Sequence, residues 1–313
     1  MARFLLRRLG LLTLTLWLMS VVVFVIAQVV PGDVAHTVLG QYATDDSVRA
    51  LRAQLGLDSP APLQYLRWIG GFVSGQWGTA PSYDAPIGDL IPGRLGNSLV
   101  LTAAALIVIV PISIGLGMVA ALRQDRLADR LISITGLSLM AVPEFVSGIV
   151  LLTVFGVWLH LLPTATLSGG GSPLTSPQYL IGPALSLGIV FFGYVARMMR
   201  ASTIAVLNSP YTRTAILKGM PWRTVLLRHV LRNALVPTVT VVTSQVGYLV
   251  GGLVVVETLF GYPGIGSLLL TAGLHHDIPL LEDCVMIVAV IYMLANLSAD
   301  LVYAYLNPQI RHG

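Results

Sequence analysis

The residues able to do chemistry are few and widely spaced. Glu144 stands directly after Pro143, in the middle of a long apolar run. A charge at bilayer depth is costly unless it is paired, wetted or protonated. The residue therefore has two readings: a carboxylate that lines a polar pathway and can hold an amine, or a neutral or ion-paired structural acid beside a proline kink. Asp300 sits late in the last apolar run and Arg197 late in the fourth, and a structural ion pair between them is expected. Glu257, at the end of the fifth run, is a candidate gate or docking group. Gly261, Pro263 and Gly264 follow it in a tight turn and share that candidacy. His275-His276-Asp277 has metal-binding types, but adjacent histidines point apart and no further ligand stands near, so no metal site is expected. The single cysteine, Cys284, excludes an intramolecular disulfide and a closed cysteine metal site, and reads as a small buried apolar residue.

Enzymatic machinery is missing. There is no G-x-x-x-x-G-K-[ST] phosphate loop, no H-E-x-x-H and no G-x-S-x-G, and the only lysine, Lys218, lies outside any such motif. No catalytic, cofactor-binding or metal residue is expected in this chain.

The elements that carry these residues belong to a membrane protein. Of 313 residues 55% are hydrophobic and 10% charged, against about 25% charged in an ordinary soluble domain. Mean hydropathy is +0.82. Six segments have the ~20 apolar residues a crossing needs: Leu9–Val30, Asn97–Leu122, Ile132–Leu162, Tyr179–Met199, Ala234–Val256 and Cys284–Tyr305. The N-terminal run is too long for a cleaved signal peptide and reads as a retained first span. With the N-terminus inside, fourteen of the eighteen Lys and Arg fall inside. Only Arg49, Arg52, Arg67 and Arg94 fall outside. The positive-inside rule then places both termini in the cytoplasm. The net charge of +4 thus flanks spans and forms no nucleic-acid face.

Two connections stand out. The outside segment Pro31–Leu95 is expected to be partly helical, with Asp45–Leu55 capped by Thr44 and ended by Gly56, and a second helix from Ala61 to Val73. The stretch Ser168–Pro177 reads as a flexible outside loop. The inside stretch 200–233 is too polar to span and too long for a turn. It reads as two short helices broken at Lys218-Gly219-Met220-Pro221, Gly219 ending the first and Pro221 opening the second. Trp222, Val225 and Leu226 give it an apolar stripe, with Arg223, Arg228 and Arg232 on the polar side. Such a pair either inserts into a groove on a partner or lies flat on the headgroups.

That stretch also carries a resemblance. Arg213-Thr214-Ala215-Ile216-Leu217-Lys218-Gly219, followed nine residues later by His229-Val230-Leu231-Arg232-Asn233-Ala234, is similar to the cytoplasmic signature of ABC importer permeases. The general form is E-A-A, three residues, Gly, nine residues, then I-x-L-P. Here Arg213 stands for the Glu, His229 for the Ile and Arg232 for the Pro. Those departures look like the dipeptide/oligopeptide branch. Arg7-Arg8 leading to Val30-Pro31-Gly32-Asp33, Leu55-Gly56-Leu57-Asp58 followed by Gln64–Trp68, Val256–Gly266, Asp277-Ile278-Pro279-Leu280 and Asn307–Arg311 also resemble that branch, in order along the chain.

The resemblance implies an all-α type I importer fold of six transmembrane helices. It implies one permease domain over residues 1–313: an N-terminal segment and span to 30, an extracytoplasmic segment 31–96, and core spans 97–313 carrying the 200–233 coupling loop. Arg213, Thr214, Ala215, Lys218, Gly219, Pro221, Trp222, Arg228, His229 and Arg232 would seat on a separate ATPase, which binds the ATP and Mg. Further implied partners are a second, related permease forming a heterodimer, two ATPase domains or subunits and an extracytoplasmic substrate-binding protein, all at a bacterial cytoplasmic membrane. The expected cargo is a di- or oligopeptide, with a nickel chelate or another small solute as the alternative. Two rivals remain: an ATP-independent secondary transporter, which would need coupling acids in several spans, and a membrane scaffold, which would move no substrate.

Overall fold

Proline decides the path of the chain at one place and not at others. In the computed structural model, which describes residues 2–29, 44–55, 58–163, 173 and 175–306, Pro111, Pro183 and Pro237 lie inside continuous helices. Pro143 does not. Its ring disfavours the helical conformation for the residue before it. Val142 is extended at φ −92°, ψ 123°, and Pro143 follows at φ −58°, ψ 146°. The expected third span, Ile132–Leu162, is therefore two helices, Leu127–Ala141 and Glu144–Trp158, bent by 107°. The expected kink at Pro143 is a break, whereas Pro111 is absorbed in a continuous helix.

The elements run α1 (Ala2–Val29), α2 (Asp45–Leu55), α3 (Ala61–Ser74), β1 (Thr79–Ala80), β2 (Ala85–Pro86), α4 (Ile87–Leu122), α5 (Leu127–Ala141), α6 (Glu144–Trp158), α7 (Gln178–Leu207), α8 (Pro210–Leu217), α9 (Trp222–Leu259), α10 (Ile265–Leu274) and α11 (Ile278–Leu306). Leu152–Trp158 of α6 and Val225–Leu231 of α9 are wound as π-helix. Among the described residues, five helices are long and apolar enough to cross a membrane, and six crossings result if α5 and α6 act as one. The chain is an all-α integral membrane protein, as expected. The helices overrun the apolar runs. α4 begins at Ile87 despite Pro92, Gly93 and Gly96. α9 begins at Trp222, so the second short helix expected inside is the head of the fifth span. α2 forms over the expected residues. Its Gly56 stop lies outside the described residues, as do Val30–Asp33, most of the 168–177 loop and Asn307–Arg311.

The packing resolves two compact units. The first holds residues 1–98 and 263–294. Its core gathers Ile87, Ile91, Leu268, Leu280 and the buried Cys284. An aromatic chain runs Phe24, Tyr65, Trp68, Phe72, Trp77, with ring centroids 5.5 to 6.4 Å apart along it. It ties α3 to α1, helped by Ser20 Oγ and Tyr65 Oη at 2.8 Å. Trp68 Nε1 donates to Asp283 Oδ1 at 3.1 Å, at the start of α11. The β1–β2 hairpin pairs Thr79 with Pro86 and Ala80 with Ala85. It is held by Asp277, which accepts from Ser82 N and Oγ at 3.0 and 2.6 Å.

The second unit, residues 99–262 and 295–313, is built around α7. Two thirds of the apolar window of α7 is buried, against 17% for α1. Leu101 and Ile109 of α4, Leu187, Phe191 and Val195 of α7, and Leu253 and Val256 of α9 form its core. Without a hydrophobic drive between helices in lipid, close approach depends on small residues. A Cβ on Gly193 would overlap the Gly136 carbonyl and Met140, which fixes how closely α5 meets α7.

Candidate functional site

Three regions hold the residues singled out from the sequence. The first is the 209–232 segment. Pro210 takes the first helical position of α8 after Ser209 at φ −71°, ψ 150°, where its missing N–H costs nothing. Thr212, fully buried, donates to the Val206 carbonyl at 2.8 Å and pins the start of α8 to the end of α7. The exit is a Schellman turn. Gly219 N donates to Ile216 O at 2.9 Å and Met220 N to Ala215 O at 3.3 Å, with Gly219 left-handed at φ +74°. Glycine ends the first helix as expected. Pro221 sits one position ahead of the helix it was expected to open, because α9 starts at Trp222.

Ala215, Val225 and Val230 are buried beneath this turn, packed by Val206, Leu207, Met220 and Leu226. The outward face is mixed. Tyr211, Ile216, Leu217, Trp222 and Leu227 are exposed, Leu217 by 87%. Arg213, Lys218, Arg223, Arg228 and Arg232 are exposed among them, as is Thr214, while His229 is half-buried. None of these five cations meets a carboxylate among the described residues. Trp222 thus departs from the expected apolar stripe and faces outward. A rigid turn that presents apolar side chains ringed by cations has the chemistry of a plug for an apolar groove with an acidic rim.

The second region is the break at Pro143. Glu144 is the first residue of α6, so its side chain lies at the partial positive end of that helix's peptide dipoles. Its backbone carbonyl accepts from Ser147 Oγ at 2.8 Å and from Ser186 Oγ of α7 at 2.9 Å. Its carboxylate has one weak partner among the described residues, the Tyr248 hydroxyl of α9, which points to Oε2 at 3.5 Å. Gly252 gives it room: a Cβ there would stand 3.2 Å from Oε1. Tyr248, Gly252 and Ser186 carried no signal in the sequence, because each lies on another helix and contributes an ordinary residue type.

The third region is the end of α9 and the turn after it. Glu257 is fully buried. The expectation that it offers a docking surface gives way, since its carboxylate is an interior group. Its carbonyl accepts from Tyr262 N at 2.7 Å. Burial first, and the charge of Glu257 second, push the Tyr262 phenol well above its ordinary pKa. Gly261 has φ +57°. The Pro263 carbonyl accepts from Asn97 Nδ2 at 2.8 Å, and Gly264 precedes α10, whose Ile265 N donates to Ser98 Oγ at 2.8 Å.

The expected Arg197–Asp300 ion pair does not form. Arg197 is exposed, and the pair in this part of the chain is Arg200–Asp129. Arg200 Nε donates to Oδ1 at 2.5 Å and Nη2 to Oδ2 at 2.6 Å. Ser133 Oγ and Asp125 N complete the shell at 3.2 and 2.9 Å. Asp129 sits in the first turn of α5, 71 residues from its partner, so their pairing could not be seen in the sequence. His275 and His276 are exposed, and Asp277 is committed to Ser82 and to Leu280 N. Among the described residues no group of three metal-ligating side chains is gathered.

Comparisons with known proteins cover the whole chain. Residues 113–312 match the family described as binding-protein-dependent transport system inner membrane component, and residues 1–89 match its N-terminal membrane component. The glutathione transport system permease protein GsiC of Escherichia coli (strain K12) is 36% identical over 306 residues, 98% of this chain and 97% of the relative. The protein of the same name in Salmonella paratyphi A is 36% identical over 315 residues, 100% of both chains.

Proposed function

The chain belongs to the binding-protein-dependent ABC importer permeases, in their peptide branch, and on that premise we propose that it forms half of an inward pathway for short peptides, driven by a separate ATPase through the 209–232 segment. It is a multi-pass inner membrane component. A transport system of this kind includes an ATPase and a substrate-binding protein. The reading adds a second, related permease as the other half of the pathway and two ATPase domains that hold the ATP and Mg. It places the 209–232 segment and both termini in the cytoplasm, on the fourteen-to-four bias of cations.

The observation that carries the proposal is the outward face of α8 and the head of α9. Leu217 projects almost fully exposed from a turn set on the buried Ala215, Val225 and Val230. An isolated exposed leucine needs no explanation, but an apolar cluster on a rigid, cation-ringed turn marks an interaction site. Because α8 hangs from α7 through Thr212 and α9 runs on from the turn without a break, a push on the turn moves two spans together. ATP-driven closure of the ATPases would then open the pathway outward to receive cargo.

Gly219→Asp tests this. A Cβ there meets nothing within 4 Å, so the chain still folds and inserts. The left-handed turn costs a non-glycine residue roughly 1–2 kcal/mol, and a negative charge enters a cationic face. Uptake in proteoliposomes falls by about tenfold or more while ATP hydrolysis continues. Normal uptake in this variant removes the coupling role, and failure of any ATPase to copurify with the wild-type chain removes the whole reading in favour of a secondary transporter.

The cargo is a short peptide. The relatives are named for glutathione, a tripeptide, and Glu144 offers a peptide ammonium a carboxylate whose one partner among the described residues is the long Tyr248 contact. Titrating the cognate binding protein with glutathione, dipeptides, longer peptides and a nickel chelate decides the class. Binding of the nickel chelate alone replaces the peptide reading by its alternative.

A further inference from the structure

Arg197, left without the acid expected for it, stands at a cavity of about 260 Å³ between the end of α4, the middle of α5 and the second half of α7. Ile132, Ser133, Gly136, Leu137, Arg197 and Arg200 are among its lining. Two chemistries meet there. Gly136 and the side chains of Ile132 and Leu137 make an apolar slot. Arg200 is already spent on Asp129, whereas Arg197 is exposed and meets no carboxylate among the described residues. Arg123, Arg126 and Arg130 are exposed on and just after the turn that joins α4 to α5 at the same end, so the mouth of the cavity is cationic.

Depth and surroundings select the occupant. At ~1.5 Å per residue, Arg197 lies ~28 Å along α7 from Gln178, close to the ~30 Å thickness of the hydrocarbon core. The guanidinium therefore comes level with the headgroups. Leu127, Leu131 and Ile134 form an exposed stripe along α5, 78, 66 and 62% exposed, beside the slot. A soluble anion would satisfy Arg197 and leave the slot empty. An amphiphile with an anionic head and an acyl chain fills both, and basic pockets between transmembrane helices suit such headgroups.

We propose that this cavity binds one anionic phospholipid, its phosphate on Arg197 and one acyl chain in the slot beside Gly136 and Leu137. The site depends neither on the cargo nor on how the 209–232 segment docks.

The test uses the full chain, purified with the subunits that accompany it and equilibrated with equal phosphatidylglycerol and phosphatidylcholine. Lipids retained after detergent exchange are counted by native mass spectrometry. Phosphatidylglycerol is retained in preference. Arg197→Gln lowers its retention about fivefold, and Arg197→Lys keeps most of it. Leu137→Trp fills the slot and also lowers retention, with the charge untouched. Millimolar inorganic phosphate leaves retention unchanged. Equal retention of the two lipids by the wild type, unchanged retention in Arg197→Gln, or displacement by inorganic phosphate overturns the proposal, the last by assigning the site to a free anion.

Discussion

Asp129 and Glu144 are both acids in the opening turn of a helix, one in α5 and one in α6, and the structure treats them oppositely. Asp129 has 4% of its side chain exposed and is closed on every side, by a two-pronged arginine at 2.5 and 2.6 Å, a hydroxyl and a backbone N–H. Glu144 has a helix end behind it, room in front of it at Gly252, and a single long contact at 3.5 Å. A charge drawn wholly or partly out of water must be compensated by the protein or by something that arrives. Asp129 is compensated by the protein and reads as structural. Glu144 is not, and reads as the place where an arriving cation would be held.

The sharpest way to break this contrast is to remove one half of the closed pair. Asp129→Asn leaves Arg200 facing an amide and should cost toward the low end of the roughly 3–5 kcal/mol lost when a buried pair is broken, because Arg200 is 30% exposed. A marked fall in the melting temperature of the purified complex, or loss of the chain from the membrane, is the expected result. The double variant Asp129→Asn with Arg200→Gln should recover part of that loss, since no uncompensated charge remains. A double variant no better than the single one would deny the pairing.

Glu144→Gln should do the reverse. Thermal stability stays within about 1 kcal/mol of wild type, and uptake of peptides with a free amino terminus falls relative to those with a blocked one. A large loss of stability with unaltered selectivity would make Glu144 a second structural acid and erase the difference. The smallest effect is expected from Tyr248→Phe. A contact of 3.5 Å lies at the edge of hydrogen-bond geometry, so its loss should shift stability by less than about 0.5 kcal/mol. A larger shift would mean that Glu144 is held as firmly as Asp129.

Much of this molecule was legible before folding was considered. The apolar runs located the five long spans, since ~20 consecutive apolar residues have few places to go but a bilayer, while the remaining run is split into the bent pair α5 and α6. The Lys218-Gly219 turn was legible because a left-handed helix end selects glycine locally. The helix boundaries were less so. α4 and α9 overrun their apolar runs because packing and helix continuity carry polar residues along. Two prolines of the same residue type took different paths, one absorbed in α4 and one ending α5, and nothing local separated them. Glu257, in the last turn of α9, read as a gate or docking group, and its burial came from the neighbours that surround it.

By itself the amino-acid sequence determined the class of protein, its cation-flanked spans and the glycine turn at Lys218-Gly219, because hydropathy, charge bias and glycine at a helix end are properties of contiguous residues. Only the tertiary structure decided which acid finds which base, and where a carboxylate is left open. Asp129 and Arg200 are 71 residues apart along the chain, and Glu144 and Tyr248 are 104 apart. Pairings at that range depend on how α5, α6, α7 and α9 pack, which the small residues on their facing surfaces set and no local pattern records.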